Sequence, residues 1–272
     1  MEENEITEKL EENIEDLSEK PIEADKLDEE VAIAEQMIEK EVKKEFLNRR
    51  KTEEEKTEEK LKAWVPKTQL GKEVKSGKIK NIDEILKQGR KILESEIVDS
   101  LLNVKTDLIL IGQSKGKFGG GKRRAWRQTQ RKKKEGNVPT FSAMAVVGDE
   151  KGHVGIGIGK SKETLPARDK AIRKAKLNIS KVITGDGSFD SVGGGDTSIP
   201  FKIEGKSGSV KVILIPAAPG TGLVAGDQLK KVLKLAGIKD VYSKTFGSVR
   251  TTFNLVKACI NALNKTNKGE QK

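Results

Sequence analysis

One cysteine, Cys259, and one histidine, His153, are all that the 272 residues hold of those types, and aromatics make up only 4%. Each scarcity excludes something. A structural zinc site takes four Cys or His ligands, so no zinc module can be built and no metal or cofactor is expected. No disulfide can close within the chain, which suits a reducing compartment. A lone histidine without a nucleophile motif nearby does not make a catalytic centre, so the chain reads as a non-enzyme. No stretch approaches the ~20 apolar residues that span a bilayer. The opening residues, MEENEITEKLEEN, lack the apolar core of a secretion signal. The expectation is a soluble, cytoplasmic protein that uses no membrane.

Charge is what the chain has in quantity. It carries 53 Lys and Arg against 42 Asp and Glu, a net of +11. The distribution is lopsided: residues 1–60 hold 23 acidic and 11 basic side chains, and the remainder holds 19 and 42. An arm at −12 therefore precedes a body at +23, and a body so charged calls for a polyanionic partner. The charge peaks at residues 115–134, KGKFGGGKRRAWRQTQRKKK, with ten basic residues and no acidic one. Ten like charges and two large apolar side chains, Phe118 and Trp126, predict a connector that becomes ordered only around nucleic acid. Lys115, Lys117, Lys122, Arg123, Arg124, Arg127, Arg131, Lys132, Lys133 and Lys134 are its candidate phosphate ligands. Arginine grips phosphate bidentately and lysine acts as a point charge. Trp126 either stacks on an unpaired base or packs beneath the connector.

Five segments follow from texture. Residues 1–62 read as an acidic extension, disordered or a lone helix. Residues 63–103, opening AWVPKTQLGKEV, read as a surface anchor with short helices, one capped by Asn81 or Asp83 and one starting at Glu94 or Ser95. Residues 104–185 hold three strand patterns, at 106–111, 140–147 and 153–159, then a helix over 163–182 with the stripe Ala171, Ala175, Ile179 and Val182. Helix, three antiparallel strands, helix is the order of a double-stranded-RNA-binding fold. In the third strand Val154, Ile156 and Ile158 alternate with Gly155, Gly157 and Gly159. The isoleucine face should pack on a helix, and the glycine face either admits a backbone or marks tight packing. Lys160, Lys162, Arg168 and Arg173, near the start of the helix, are further candidate RNA contacts. After the glycine-rich stretch 185–195, residues 196–266 read as a ββαβα unit: strands at 198–204, 209–215 and 238–242, a helix capped by Asp227, and a last helix at 252–263. Residues 267–272 form a tail. The fold class is α+β.

His153 beside a hairpin turn reads as a structural turn residue or an RNA contact, and Cys259 as core. Two G-K-S triplets, at 159–161 and 205–207, invite a phosphate-loop reading. That spacing needs glycine at 154 or 200, where Val154 and Pro200 stand.

The wording VVGDEKGHVGIGIGKSKE…AIRKAKLNI, then GSVKVILIPAAPGTGLVAGDQLKKVLKLAGIKDVYSKTFG, resembles the universal small-subunit ribosomal protein family numbered five. WVPKTQLGKEVKSGKI resembles its archaeal branch. The likeness runs from about Trp64 to Thr266. It implies a double-stranded-RNA-binding-like domain and a second α/β domain with a left-handed crossover. It implies a structural, ribosomal-RNA-binding role in the small subunit, near the mRNA entrance and the decoding region, supporting decoding accuracy. Implied partners are ribosomal RNA, mRNA at its entrance and the small-subunit proteins numbered two, three, four and eight. The 112–139 stretch is longer and more basic than the family's, so its register is open. The cysteines that archaeal relatives often place at 183–197 are absent. The alternative is a free double-stranded-RNA-binding regulator.

Overall fold

The computed structural model describes residues 61–114, 123–187 and 196–269. All but the end of the acidic extension, and Lys115, Lys117, Phe118 and Lys122, lie outside the described residues. From Leu61 onward the chain gathers into one compact unit.

It begins with three short helices, α1 (Gln69–Lys75), α2 (Ile82–Lys87) and α3 (Ser95–Leu101). Thr68 caps α1, its hydroxyl accepting the Gly71 N–H at 3.0 Å. The anchor segment is tied down by Glu94. That carboxylate is 9% exposed and accepts the Trp64 indole N–H (2.9 Å) and the backbone N–H groups of Lys67 (3.0 Å) and Thr68 (2.6 Å). Glu94 also stands at the N-cap of α3, and Asn81 at that of α2, without a side-chain cap bond.

The first sheet comprises β1 (Lys105–Leu108), β2 (Trp126–Lys133), β3 (Gly136–Gly148), β4 (His153–Ser161) and β5 (Ile179–Lys181), with α4 (Thr164–Leu177) before β5. The order is β1-β3-β4-β5, all antiparallel. The long β3 pairs with β2 along its first eight residues and with β1 along its last four. β2 corrects the sequence expectation: the second half of the basic connector is a strand, not a segment that waits for RNA. Eight backbone pairs, from Trp126↔Ala143 to Lys133↔Gly136, build it. The turn at Lys134 and Glu135 is closed by Gly136 at φ 116°, a conformation that favours glycine. Alternation eases the charge repulsion, because successive basic side chains leave on opposite faces. The 163–182 helix also ends sooner, at Leu177. Ile179 belongs to β5, opposite Gly155, and Val182 follows it, both buried.

The two faces of this sheet are sorted by side-chain size. A Cβ on Gly155, Gly157 or Gly159 would lie 2.3, 2.1 or 2.1 Å from the carbonyl oxygens of Ala175, Ala171 and Ala167. The glycine face therefore admits another backbone, that of α4, which is the first of the two alternatives; the helix that follows β4 lies on this side and not on the isoleucine side. The opposite face, with Met144, Val146, Val154, Ile156 and Ile158, joins the core of the C-terminal half.

That half contains β6 (Ile203–Ser207), β7 (Val210–Pro216), β8 (Leu223–Val224), α5 (Asp227–Leu235), β9 (Val241–Phe246), α6 (Thr252–Leu263) and α7 (Thr266–Gly269). The sheet order is β6-β7-β9-β8, with β8 parallel to β9 across the α5 crossover. Relative to the sequence reading, β8 is additional and β9 begins three residues later. Gly226, not Asp227, is the α5 N-cap. α6 presses on one face of the sheet, where a Cβ on Gly205 would meet the Ala258 oxygen at 2.1 Å. Polar seams join α5 to the first sheet: Gln228 accepts the Leu110 N–H at 2.8 Å, and Lys231 donates to Asp107 (2.7 Å) and the Leu108 carbonyl (2.9 Å).

Candidate nucleic-acid interface

Every side chain from Trp126 to Asn137 is exposed, so the β2–β3 hairpin has no core of its own at its outer end. Ladder bonds hold it, and its side chains remain available. From Arg127 to Lys133 the strand covers about 20 Å at ~3.4 Å per residue. Arg131 and Lys133 lie on one face, and Lys132 on the other, with Lys134 in the turn. Arg127, Ser142 and Lys160 are consecutive partners across β2, β3 and β4, one row on one face.

At the hairpin's base the chain runs back along β2. Ser114 and Arg123 form an antiparallel bridge, and the Gly112 N–H donates to the Arg124 carbonyl at 2.9 Å. A Cβ on Gly112 would sit 2.1 Å from the Trp126 oxygen, so only glycine permits this approach. Two open grooves meet here. One, of about 490 Å³, is lined by Gln113, Ser114, Arg124, Trp126, Arg127, Gln128 and Gln130. The other, of about 610 Å³, is lined by Ile111, Gly112, Gln113, Ser114, Arg123 and Arg250. Four arginines and no carboxylate line them among the described residues. Amide and hydroxyl groups interleave the guanidinium groups, a donor-rich surface suited to phosphate and sugar. Trp126 is 39% exposed, half seated at the groove wall with part of its ring uncovered. Arg127 lies over the Phe253 ring at 5.1 Å, tying the hairpin to the first turn of α6.

The candidate residues divide accordingly. Arg123, Arg124, Trp126 and Arg127 gather at the groove. Arg131, Lys132, Lys133 and Lys134 line the arm, and Lys160 shares the row of Arg127. Lys162 follows β4, and Arg168 and Arg173 are exposed on α4; none of these three lines the groove. Sequence reasoning missed Gln113, Ser114, Gln128, Gln130 and Arg250. Arg250 is far away in the chain, and only the docking of α6 brings it near.

His153 is a structural residue. It is 8% exposed, with Nδ1 2.6 Å from Asp149 and Nε2 2.9 Å from Asp83, and Asp83 also accepts from Lys181 at 2.8 Å. Burial pulls its pKa down, but hydrogen bonds to the two carboxylates outweigh that and raise it above 6.5. Both G-K-S triplets lie in or at the end of strands, β4 and β6, so neither forms a phosphate loop. Cys259 is fully buried, and burial pushes its thiol up to about 12.

Comparison with known proteins agrees over both halves. The domain described as "Ribosomal protein S5, N-terminal domain" matches residues 125–183, and "Ribosomal protein S5, C-terminal domain" matches residues 205–272. Small ribosomal subunit protein uS5 of Nanoarchaeum equitans is 50% identical over 206 residues, covering 75% of this chain and 88% of the relative. That of Thermofilum pendens is 46% identical over 204 residues, covering 75% and 94%. That of Methanococcus maripaludis strain C6 is 46% identical over 205 residues, covering 75% and 83%. An acid-free arginine groove, a projecting basic hairpin and matches spanning both sheets lead to one assignment: the chain belongs to the ribosomal protein S5 family, of the archaeal type.

Proposed function

We propose that this protein is a structural constituent of the small ribosomal subunit that binds ribosomal RNA through the β2–β3 hairpin and the arginine groove at its base. The observation that carries the site is the fully exposed basic strand running into a groove without carboxylates. Its relatives are ribosomal proteins, a non-enzymatic family, and its work is to bind and brace. Arg123, Arg124, Arg127 and Arg250 grip phosphate, and Arg131, Lys132, Lys133 and Lys134 follow the backbone outward. Lys160, Lys162, Arg168 and Arg173 supply further contacts, as do Lys115, Lys117 and Lys122. Residues 104–185 act as a double-stranded-RNA-binding-like domain, the β8–α5–β9 crossover is left-handed, and residues 196–266 brace neighbouring small-subunit proteins, numbers two, three, four and eight. The place is near the mRNA entrance and decoding region of cytoplasmic ribosomes, with mRNA at the entry channel as a partner, where the protein supports decoding accuracy. Among the described residues no helix is long and apolar enough to cross a membrane.

The test is the salt dependence of binding to small-subunit ribosomal RNA, read for the full chain and for Lys132→Ala/Lys133→Ala. Each lost phosphate contact takes about 1 from the logarithmic salt slope, so the double variant should lose about 2. It should also leave small subunits at lower salt during sedimentation. An unchanged slope with unchanged co-sedimentation would remove the hairpin from the interface.

A further inference from the structure

The C-terminal sheet has a second face that α6 does not cover and that the hairpin does not reach. Its side chains form a grid set by strand register. Lys206, Lys211 and Phe246 are partners across β6, β7 and β9; Glu204, Ile213 and Lys244 make the next row; Ile215, Tyr242 and Val224 the third, which ends on β8. Tyr242 (44% exposed), Phe246 (53%) and Val224 (48%) are among the most exposed large apolar side chains of the described residues. Alternation puts Tyr242, Lys244 and Phe246 on the same side of one strand, so a cation stands between two uncovered rings. Glu204, the one carboxylate of the grid, is ion-paired to Lys211 at 2.7 Å. That lysine, with Lys265 and Lys202 nearby, holds the Glu204 carboxyl below its ordinary value.

We infer that this face is a stacking platform for a single-stranded RNA segment, separate from the arginine groove. The chemistry selects that occupant. Rings interleaved with cations suit bases and phosphates in turn, whereas lysine is depleted at the centre of protein–protein interfaces. A duplex is unsuitable, because its paired bases offer no open face to a ring standing on a flat sheet. The rings are four residues apart, about 14 Å along the strand. Bases in a helical strand rise only ~3.4 Å per nucleotide, so the bound strand must lie extended, with backbone over Lys244. Lys206 and Lys211 then meet the phosphate beside the Phe246 base.

The test uses the full chain and a 12-nucleotide oligouridine, read by fluorescence anisotropy, with an RNA duplex as the comparison probe. Tyr242→Ala and Phe246→Ala should each weaken oligouridine binding about tenfold, leaving duplex affinity and the salt slope unchanged. Tyr242→Phe, which keeps the ring, should bind like the parent. Because Tyr242 is the only tyrosine, ultraviolet cross-linking should place uridine on the peptide containing it. Thermal melting of the variants guards against misfolding, which exposed positions should not cause. Oligouridine binding unchanged in a folded Tyr242→Ala/Phe246→Ala variant would overturn the inference. So would a variant that keeps oligouridine affinity yet loses one neighbouring protein from assembled small subunits, since the occupant would then be protein. Loss of duplex binding in Lys132→Ala/Lys133→Ala, with the platform intact, keeps the two RNA sites distinguishable.

Discussion

Replacing Gly157 by alanine adds one methyl group at the point where β4 and α4 touch, and the structure sets its cost. The new Cβ would stand 2.1 Å from the Ala171 oxygen, 2.3 Å from the Ala175 nitrogen and 2.7 Å from the Lys174 carbonyl carbon, all backbone atoms. Ordinary contact begins near 3.4 Å, and no flexible side chain can step aside. Helix α4 must therefore rise by about an ångström. A gap of 0.5–1 Å already forfeits a quarter to a half of a dispersion contact. The loss spreads along Ala167, Ala171 and Ala175, each fully buried against this sheet. Overpacking of this kind costs about 3 kcal/mol, the upper end of the usual range. For a unit of this size that is a fall in Tm of about 6–12 °C. Circular dichroism melts at low salt should show it. Gly226→Ala, with nothing within 4 Å of the added Cβ, serves as the control and should move Tm little. A Gly157→Ala protein melting within 2 °C of its parent would refute the argument that glycine seats α4.

The His153 network predicts a pH window. Its pKa is raised, so its stabilising contribution is complete below the unfolded value of 6.5 and is lost as pH rises through the folded one. Asp83 and Asp149 have theirs lowered, burial opposing and hydrogen bonds prevailing, so their contribution is present above 3.8 and lost as pH falls further. Urea stability should therefore decline from pH 5.5 to 8.5 in the parent more than in His153→Gln; equal declines would contradict the assignment. Glu94→Gln sets an amide N–H₂ against the Trp64 indole or a backbone N–H, leaving a donor unpaired at a cost of about 1–3 kcal/mol. Trypsin should then cut faster after Lys67 and Lys72, and unaltered cleavage would count against the anchor. Cys259 should resist a thiol reagent until denaturant is added; rapid labelling of the native protein would show that α6 is not packed as described.

Local pattern in the sequence determined the elements whose residues carry their own reasons to form: α6 through its apolar stripe, β4 through its strict alternation, and the helices closed by Gly89 and Gly237, both at positive φ. It also determined the charge polarity and hence the class of partner. β2 was not legible, since WRQTQRKK has neither an apolar alternation nor a buried face. Only pairing with β3, a partner supplied by the rest of the fold, makes it a strand. What covers each side of β4 was likewise not legible: alternation put a helix on the isoleucine face, whereas α4 lies on the glycine face and the isoleucines join the core of the C-terminal half. The arginine groove needed tertiary structure most of all. Gly112 brings the 111–114 segment against β2, and the docking of α6 delivers Arg250 from more than a hundred residues away. Composition follows the chain and can be read along it, whereas a concave site is a relation between distant segments, fixed only when the shared core closes.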